Sequence, residues 1–194
     1  MRAEIQVKLL ENLLDEITKR YDSFIKEQNE KIEDTLEKAT KDPLTDLYNR
    51  EFLSEYAEKV LKENRRKGES VTLIFLDLDN FKSVNDNYGH EEGDQVLKNV
   101  ATILKNSFRD HDVIIRYGGD EFIVLAQLNR VEISDLNSVL MSLKERIEEN
   151  FKKYGISISY GMAIYPLETD NLKDLIHLAD QRMYEQKKAK KLNL

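Results

Sequence analysis

Along the first 40 or so residues apolar side chains recur at alternating steps of three and four, Val7, Leu10, Leu14, Ile17, Tyr21 and Phe24, with no Gly or Pro among them. That spacing is a coiled-coil seam and predicts a signalling and dimerisation helix over residues 1–41 that pairs with a second copy. The alternative for such a stripe is a helix lying on its own domain. After Gln28 the seam continues through Ile32 and Leu36 to Ala39. Two successive steps of four read as a stutter that locally changes the supercoil. Asp42-Pro43 then ends the helix, because proline lacks the amide and restricts the residue before it.

From Asp42 onward the pattern alternates. Leu53, Tyr56, Ala57, Val60 and Leu61 give a helical face that Gly68 terminates, and Val71 to Leu78 is a nearly continuous apolar run, as in a strand buried on both sides. A helix follows on Val96, Val100, Ile103, Leu104 and Phe108, then short strands at 113–117 and 122–126, then a helix on Leu136, Leu140, Leu143, Ile147 and Phe151. Ile156, Ile158 and Tyr160 alternate in a last strand, and Leu172, Leu175, Ile176, Ala179 and Met183 line a final helix. Strand, helix, strand, strand, helix, strand is the ferredoxin-like (βαββαβ) order of an α+β domain over 42–194, with extra helices at both ends.

The 194 residues leave room for one catalytic-size domain and an appendage. A formal charge of −7 excludes the basic field of a general nucleic-acid binder, so no polymeric nucleic acid is expected as a partner. Cysteine is absent, which removes disulfides, thiolate metal sites and cysteine nucleophiles and suits a reducing compartment. No apolar run approaches a membrane span, and the chain reads as soluble and cytoplasmic.

The candidate chemistry lies in Arg116-Tyr117-Gly118-Gly119-Asp120-Glu121-Phe122, where a glycine pair between two apolar runs predicts a hairpin whose tight turn uses positive backbone angles. In the ferredoxin-like order the first strand lies antiparallel to the third, so Asp77 is expected to face Asp120. Carboxylates so placed repel unless a divalent cation sits between them, and oxygen ligands without cysteine suggest magnesium or manganese bound alongside substrate phosphates. Asp79 turns to the same side as Asp77 or caps the next turn. Asn85 and Asp94 offer the donor, acceptors and carboxylate that read a guanine edge, or serve as turn and cap residues. His90 is a candidate ligand or, as a lone histidine beside a glycine, a structural residue. Lys187 and Lys191, four apart, hold a triphosphate or form a solvated basic helix end.

These motifs together resemble the GGDEF family of bacterial diguanylate cyclases over residues 42–194. Asp42-Pro43-Leu44-Thr45 with Leu47, Asn49 and Arg50 is similar to the family's opening motif, and the blocks 77–94 and 118–122 follow its pattern. Ser159-Tyr160-Gly161, Ala179-Asp180, Met183-Tyr184 and Lys187 echo its closing elements.

The resemblance implies a palm-type nucleotidyl cyclase that condenses two GTP into cyclic di-GMP and two pyrophosphates as a homodimer. It further implies two magnesium ions on Asp77, the Leu78 carbonyl and Asp120, with Glu121 assisting deprotonation. Asn85 and Asp94 correspond to guanine contacts; Asp94, where makers of mixed cyclic GMP-AMP carry serine, favours the di-GMP product. Lys82 and Lys187, supported near Asn80 and Phe81, correspond to phosphate contacts. Arg109-Asp110-His111-Asp112 is similar to the R-x-x-D product-inhibition site, implicating Arg109 and Asp112, with Arg146 as a second contact in the dimer. After Lys187 the family often has glycine and then a basic residue, whereas this chain reads Lys188-Ala189-Lys190-Lys191, which sets Lys191 apart from the pattern. A sensor is expected to act on the stalk from a partner or from sequence outside this chain. The competing readings are a catalytically inactive module sensing GTP or cyclic di-GMP, and an interaction protein whose stalk is the function.

Overall fold

The structure is a computed structural model that describes residues 2–128 and 132–192, so positions 1, 129–131, 193 and 194 of the two expected domains lie outside the described residues. The chain divides into two compact units, Met1–Ala39 and Thr40–Leu194.

The first unit belongs to helix α1, Arg2–Thr40, which stops two residues before Pro43 as the sequence predicts. Its seam side chains are exposed, Leu10 at 66%, Leu14 at 65% and Tyr21 at 64%. Acidic residues pair with basic ones one turn later, as in Glu16–Arg20 at 2.7 Å and Glu27–Lys31 at 2.6 Å. Solvent screens such exposed pairs, and they add little to stability.

The second unit is built on a four-stranded sheet in the order β2-β3-β1-β4, with every neighbouring pair antiparallel. Its strands are β1 (Ser70–Asp79), β2 (Val113–Arg116), β3 (Glu121–Leu128) and β4 (Ser157–Tyr165). This is the expected ferredoxin-like arrangement. β4 runs past Tyr160 because Gly161 and Ala163 interrupt the apolar signal without interrupting the pairing.

The central strand β1 is apolar on both sides from Leu73 to Leu76 because both faces of the sheet are covered. Ile74, Leu76 and Leu78 pack beneath α3 (Phe81–Tyr88), α4 (His90–Lys105) and α5 (Glu132–Asn150). Val71, Leu73 and Phe75 pack beneath α2 (Arg50–Lys67) and α6 (Leu172–Leu192). Asn49 caps α2 by accepting from the Phe52 amide at 2.9 Å, and Gly68 ends it in the left-handed region at φ 70°. The sequence read the stretch after Phe81 as a polar connection into one helix; the structure makes it two, broken at Gly89, whose φ is 87°.

Helix α6 packs tightly against β4 at Gly161. A β-carbon there would lie 2.1 Å from the Ala179 carbonyl oxygen and 2.3 Å from the Met183 amide nitrogen. Both neighbours are backbone, so neither yields without moving the helix. Gly161→Ala is expected to destabilise the chain by about 1–3 kcal/mol, read as a fall in the urea midpoint at unchanged slope.

Candidate active site

Three local choices of backbone build the site. Strand β1 ends at Asp79, and Asn80 takes the left-handed conformation, φ 65°, while its side-chain amide donates to the Gly155 carbonyl at 3.0 Å. That turn lets α3 start at Phe81. The hairpin between β2 and β3 closes with the Tyr117 and Gly118 amides donating to the Glu121 carbonyl at 2.8 and 3.2 Å. Neither Gly118 nor Gly119 has a positive φ, contrary to the expectation for the turn. Gly118 instead leaves room for the Glu121 carboxylate, since a β-carbon there would lie 2.4 Å from Glu121 Oε2 and would displace that side chain.

The register of β1 with β3 places Asp77 opposite Glu121, where the sequence put it opposite Asp120. The difference is one residue: β3 begins at Glu121, which leaves Asp120 as the last residue of the turn. Asp120 is fixed by its carbonyl, which accepts from the Leu78 amide at 3.2 Å. Asp77, Asp120 and Glu121 therefore meet at the adjoining ends of β1 and β3.

Burial, and then the charges of Asp77 and Asp120, push the Glu121 carboxyl above its usual range. Burial likewise pushes Asp77 up, although Lys187 hydrogen-bonds it. For Lys187 burial works against the charge, and the bond to Asp77 together with the charges of Asp77, Asp79 and Asp120 outweighs it, so the ammonium is held more firmly than usual. The region carries an excess of like charge that one cation on Asp77 relieves in part.

A cleft of about 370 Å³ opens beside these acids, lined by Asn80, Phe81, Lys82, Asp120, Lys187 and Lys191 among others. The structure thus gathers into one place most of the residues singled out for metal and phosphate. Asn85 and Asp94 lie outside the cleft lining, where α3 meets α4. A β-carbon on Gly93 would come within 2.0 Å of Asn85 Oδ1, so that glycine seats the Asn85 amide beside the exposed Asp94. His90 is exposed at the start of α4.

Asp79 caps no turn. Its carboxylate lies 2.9 Å from the fully buried Ser159 hydroxyl through both oxygens and 2.8 Å from Lys190. Ser159 and Lys190 escaped sequence reasoning in this role, because their partnership depends on β4 lying beside β1.

Away from the cleft, the Arg109 amide donates to Asp112 Oδ2 at 3.0 Å and the Asp112 amide to the Arg109 carbonyl at 2.9 Å. The Asp112 side chain is only 4% exposed and holds this turn together. Arg109 and Asp112 line a second cleft of about 260 Å³ with Lys41, Asp46, Tyr48 and Lys105. Arg146 donates to the Ser107 hydroxyl at 3.0 Å.

Among the described residues no three His, Asp or Glu side chains form a ready-made metal cage. Magnesium needs fewer protein ligands, since it keeps waters and shares its shell with substrate phosphates. The crowded acids, one of them paired with the Lys187 ammonium, fit a hard divalent ion in chemistry.

An antiparallel β2-β3-β1-β4 sheet with acids at the adjoining ends of its two central strands defines a palm-type α+β domain. The family model for "Diguanylate cyclase, GGDEF domain" matches residues 39–193, and the chain belongs to that family. It is 38% identical over 146 residues to diguanylate cyclase DgcS of Shewanella oneidensis, covering 75% of this chain and 49% of DgcS. With diguanylate cyclase A of Treponema denticola it shares 34% over 161 residues, covering 78% of this chain and 43% of the relative. The chain thus spans less than half the length of these two curated relatives. Its fold matches the crystal structure of the GGDEF domain of DgcB from Caulobacter crescentus in complex with c-di-GMP. That match has a TM-score of 0.68 at 27% identity and covers 78% of this chain and 91% of that one. No helix among the described residues is long and apolar enough to cross a membrane.

Proposed function

We propose that this chain is an active diguanylate cyclase. The observation that carries the reading is the meeting of Asp77, Asp120 and Glu121 beside a cleft lined by lysines. In the reaction the ribose 3′-hydroxyl of each GTP attacks the α-phosphorus of the other. Two phosphodiester bonds form, two α–β phosphoanhydride bonds break, two pyrophosphates leave, and the hydroxyl protons pass to base or solvent. Magnesium, or manganese, would be held by Asp77, the Leu78 carbonyl and Asp120, two ions per half-site, and when bound supplies positive charge at the α-phosphate and acidifies the attacking hydroxyl.

The chain's own residues orient the substrate. Lys82, Lys187 and Lys191 line the cleft that receives the phosphates, beside the backbone at Asn80 and Phe81. Asn85 and Asp94 read the guanine edge from the α3–α4 meeting point. Glu121, its affinity for a proton raised by burial and by its acidic neighbours, is the group we assign to assisting deprotonation of the attacking hydroxyl. Each domain holds one GTP, so two must face each other. The exposed seam of α1 supplies the means of pairing. We further read Arg109 and Asp112 as contacts for cyclic di-GMP as a feedback inhibitor, supported by the c-di-GMP complex of the related domain.

The deciding experiment incubates the full chain, stripped of nucleotide, with GTP and magnesium at several protein concentrations, and separates the products by chromatography. Cyclic di-GMP is expected, at a rate per protomer that rises with protein concentration and falls when cyclic di-GMP is added at the start. No product at any concentration, with nucleotide still bound, would replace the cyclase by a sensing module.

A further inference from the structure

Strand β4 is an edge strand, and in an antiparallel edge every second residue turns its N–H and C=O away from the sheet. Here three of those groups are taken up by side chains of α6. The Met162 carbonyl accepts from Arg182 at 2.6 Å, the Tyr160 amide donates to Gln186 at 2.8 Å, and the Ile158 carbonyl accepts from Lys190. Arg182, Gln186 and Lys190 form one stripe of α6 at steps of four, and they meet the strand in descending order, so helix and strand run antiparallel.

The spacings agree. Four helical residues rise about 6 Å and two strand residues about 6.6–6.8 Å, so successive stripe residues meet successive outward-facing groups. Sliding α6 along β4 breaks all three rungs together. Lys190 is also saturated: its three protons face the Ile158 carbonyl, Asp79 at 2.8 Å and the Ser159 hydroxyl at 3.0 Å. It anchors the helix and has no donor left for a phosphate. Its neighbours differ, since Lys187 follows Gln186 and reaches across to Asp77, and Lys191 is exposed in the cleft lining.

We propose that Arg182, Gln186 and Lys190 are positioning residues that fix the register of α6 on the β4 edge, and so set the Lys187 and Lys191 ammonium groups over the phosphate end of the substrate. The inference rests on reading the cleft as the GTP phosphate site. A lysine arm is flexible, and holding its root in register is what makes its charge available without an ordering cost.

The test uses the full chain carrying Arg182→Met with Gln186→Leu, which removes two rungs and leaves the buried face of Leu175, Ala179 and Met183 intact. The probes are α,β-methylene-GTP, which the α–β cleavage cannot consume, and GMP, each titrated calorimetrically with magnesium. The expected result is an affinity for the triphosphate probe lowered about tenfold and for GMP changed less than about twofold. Arg182→Lys with Gln186→Glu, which keeps one donor and one acceptor, is expected to return the triphosphate affinity to within about threefold of the parent. Equal losses for both probes, or no loss for either, would overturn the positioning role. A parent chain that binds the two probes equally well would instead overturn the phosphate assignment of the cleft.

Discussion

Cyclic di-GMP synthesis is expected to fall by about 10²–10³-fold in Asp120→Asn, with the fold intact. Asp120 reaches its place through backbone, the Leu78 amide donating to its carbonyl, so asparagine keeps that bond and loses only the carboxylate charge. The charge is what the site is arranged to use. Asp77 and Glu121 already hold their protons more tightly than usual, partly because Asp120 repels them. Removing one of three crowded like charges relieves a cost that the parent carries without metal. The variant should therefore unfold at a higher temperature than the parent in metal-free buffer, by about 2–4 °C per kcal/mol of repulsion removed. Magnesium should then stabilise the parent more than the variant. Turnover assays and paired thermal melts with and without magnesium check both parts. Undiminished synthesis by Asp120→Asn would show that the reacting phosphates are organised elsewhere.

Much of this was legible because apolar pattern and turn chemistry agree along most of the chain. The double-sided run of β1 announced a covered central strand, and the order of elements then fixed which ends of which strands meet. Pattern alone did not supply the last residue of register. Whether Asp120 or Glu121 faces Asp77 is set by the pairing of β1 with β3, strands far apart in the chain whose register no local pattern fixes. Gly118 turned out to serve the Glu121 carboxylate, a contact no local rule describes. Asp79 was ambiguous for a related reason, since its partners Ser159 and Lys190 come from the far end of the chain and approach only once β4 and α6 are in place.

The same dependence on distant partners makes Arg116 the second large lever. Its guanidinium grips Asp42 through one nitrogen at 3.0 and 3.1 Å and the Gly119 carbonyl through two others at 3.3 and 2.9 Å. One side chain thereby ties the segment that opens the domain to the turn that carries Asp120. Thr45 adds its amide and hydroxyl to the same Asp42 oxygen at 2.9 and 2.7 Å. Burial works against the Asp42 charge, yet these donors outweigh it and hold the carboxyl below its usual range. The sign follows: a lowered native pKa contributes stability that is complete above the ordinary aspartate range and is lost as pH falls through the native value.

Arg116→Ala leaves a largely buried carboxylate with Thr45 alone, and is expected to cost about 3 kcal/mol at neutral pH. That cost should shrink in acid, once Asp42 is protonated in both chains. With the Gly119 carbonyl released, the turn bearing Asp120 loses an anchor, and turnover should drop about 10–100-fold, the scale seen when a group supporting a metal ligand is removed. Arg116→Lys should recover little of either, because an ammonium cannot grip Asp42 and Gly119 together in the fixed geometry of the guanidinium fork. Urea titrations across pH, read beside initial rates, separate the two effects. A variant destabilised as expected but fully active would show that the turn holds Asp120 without help from Arg116.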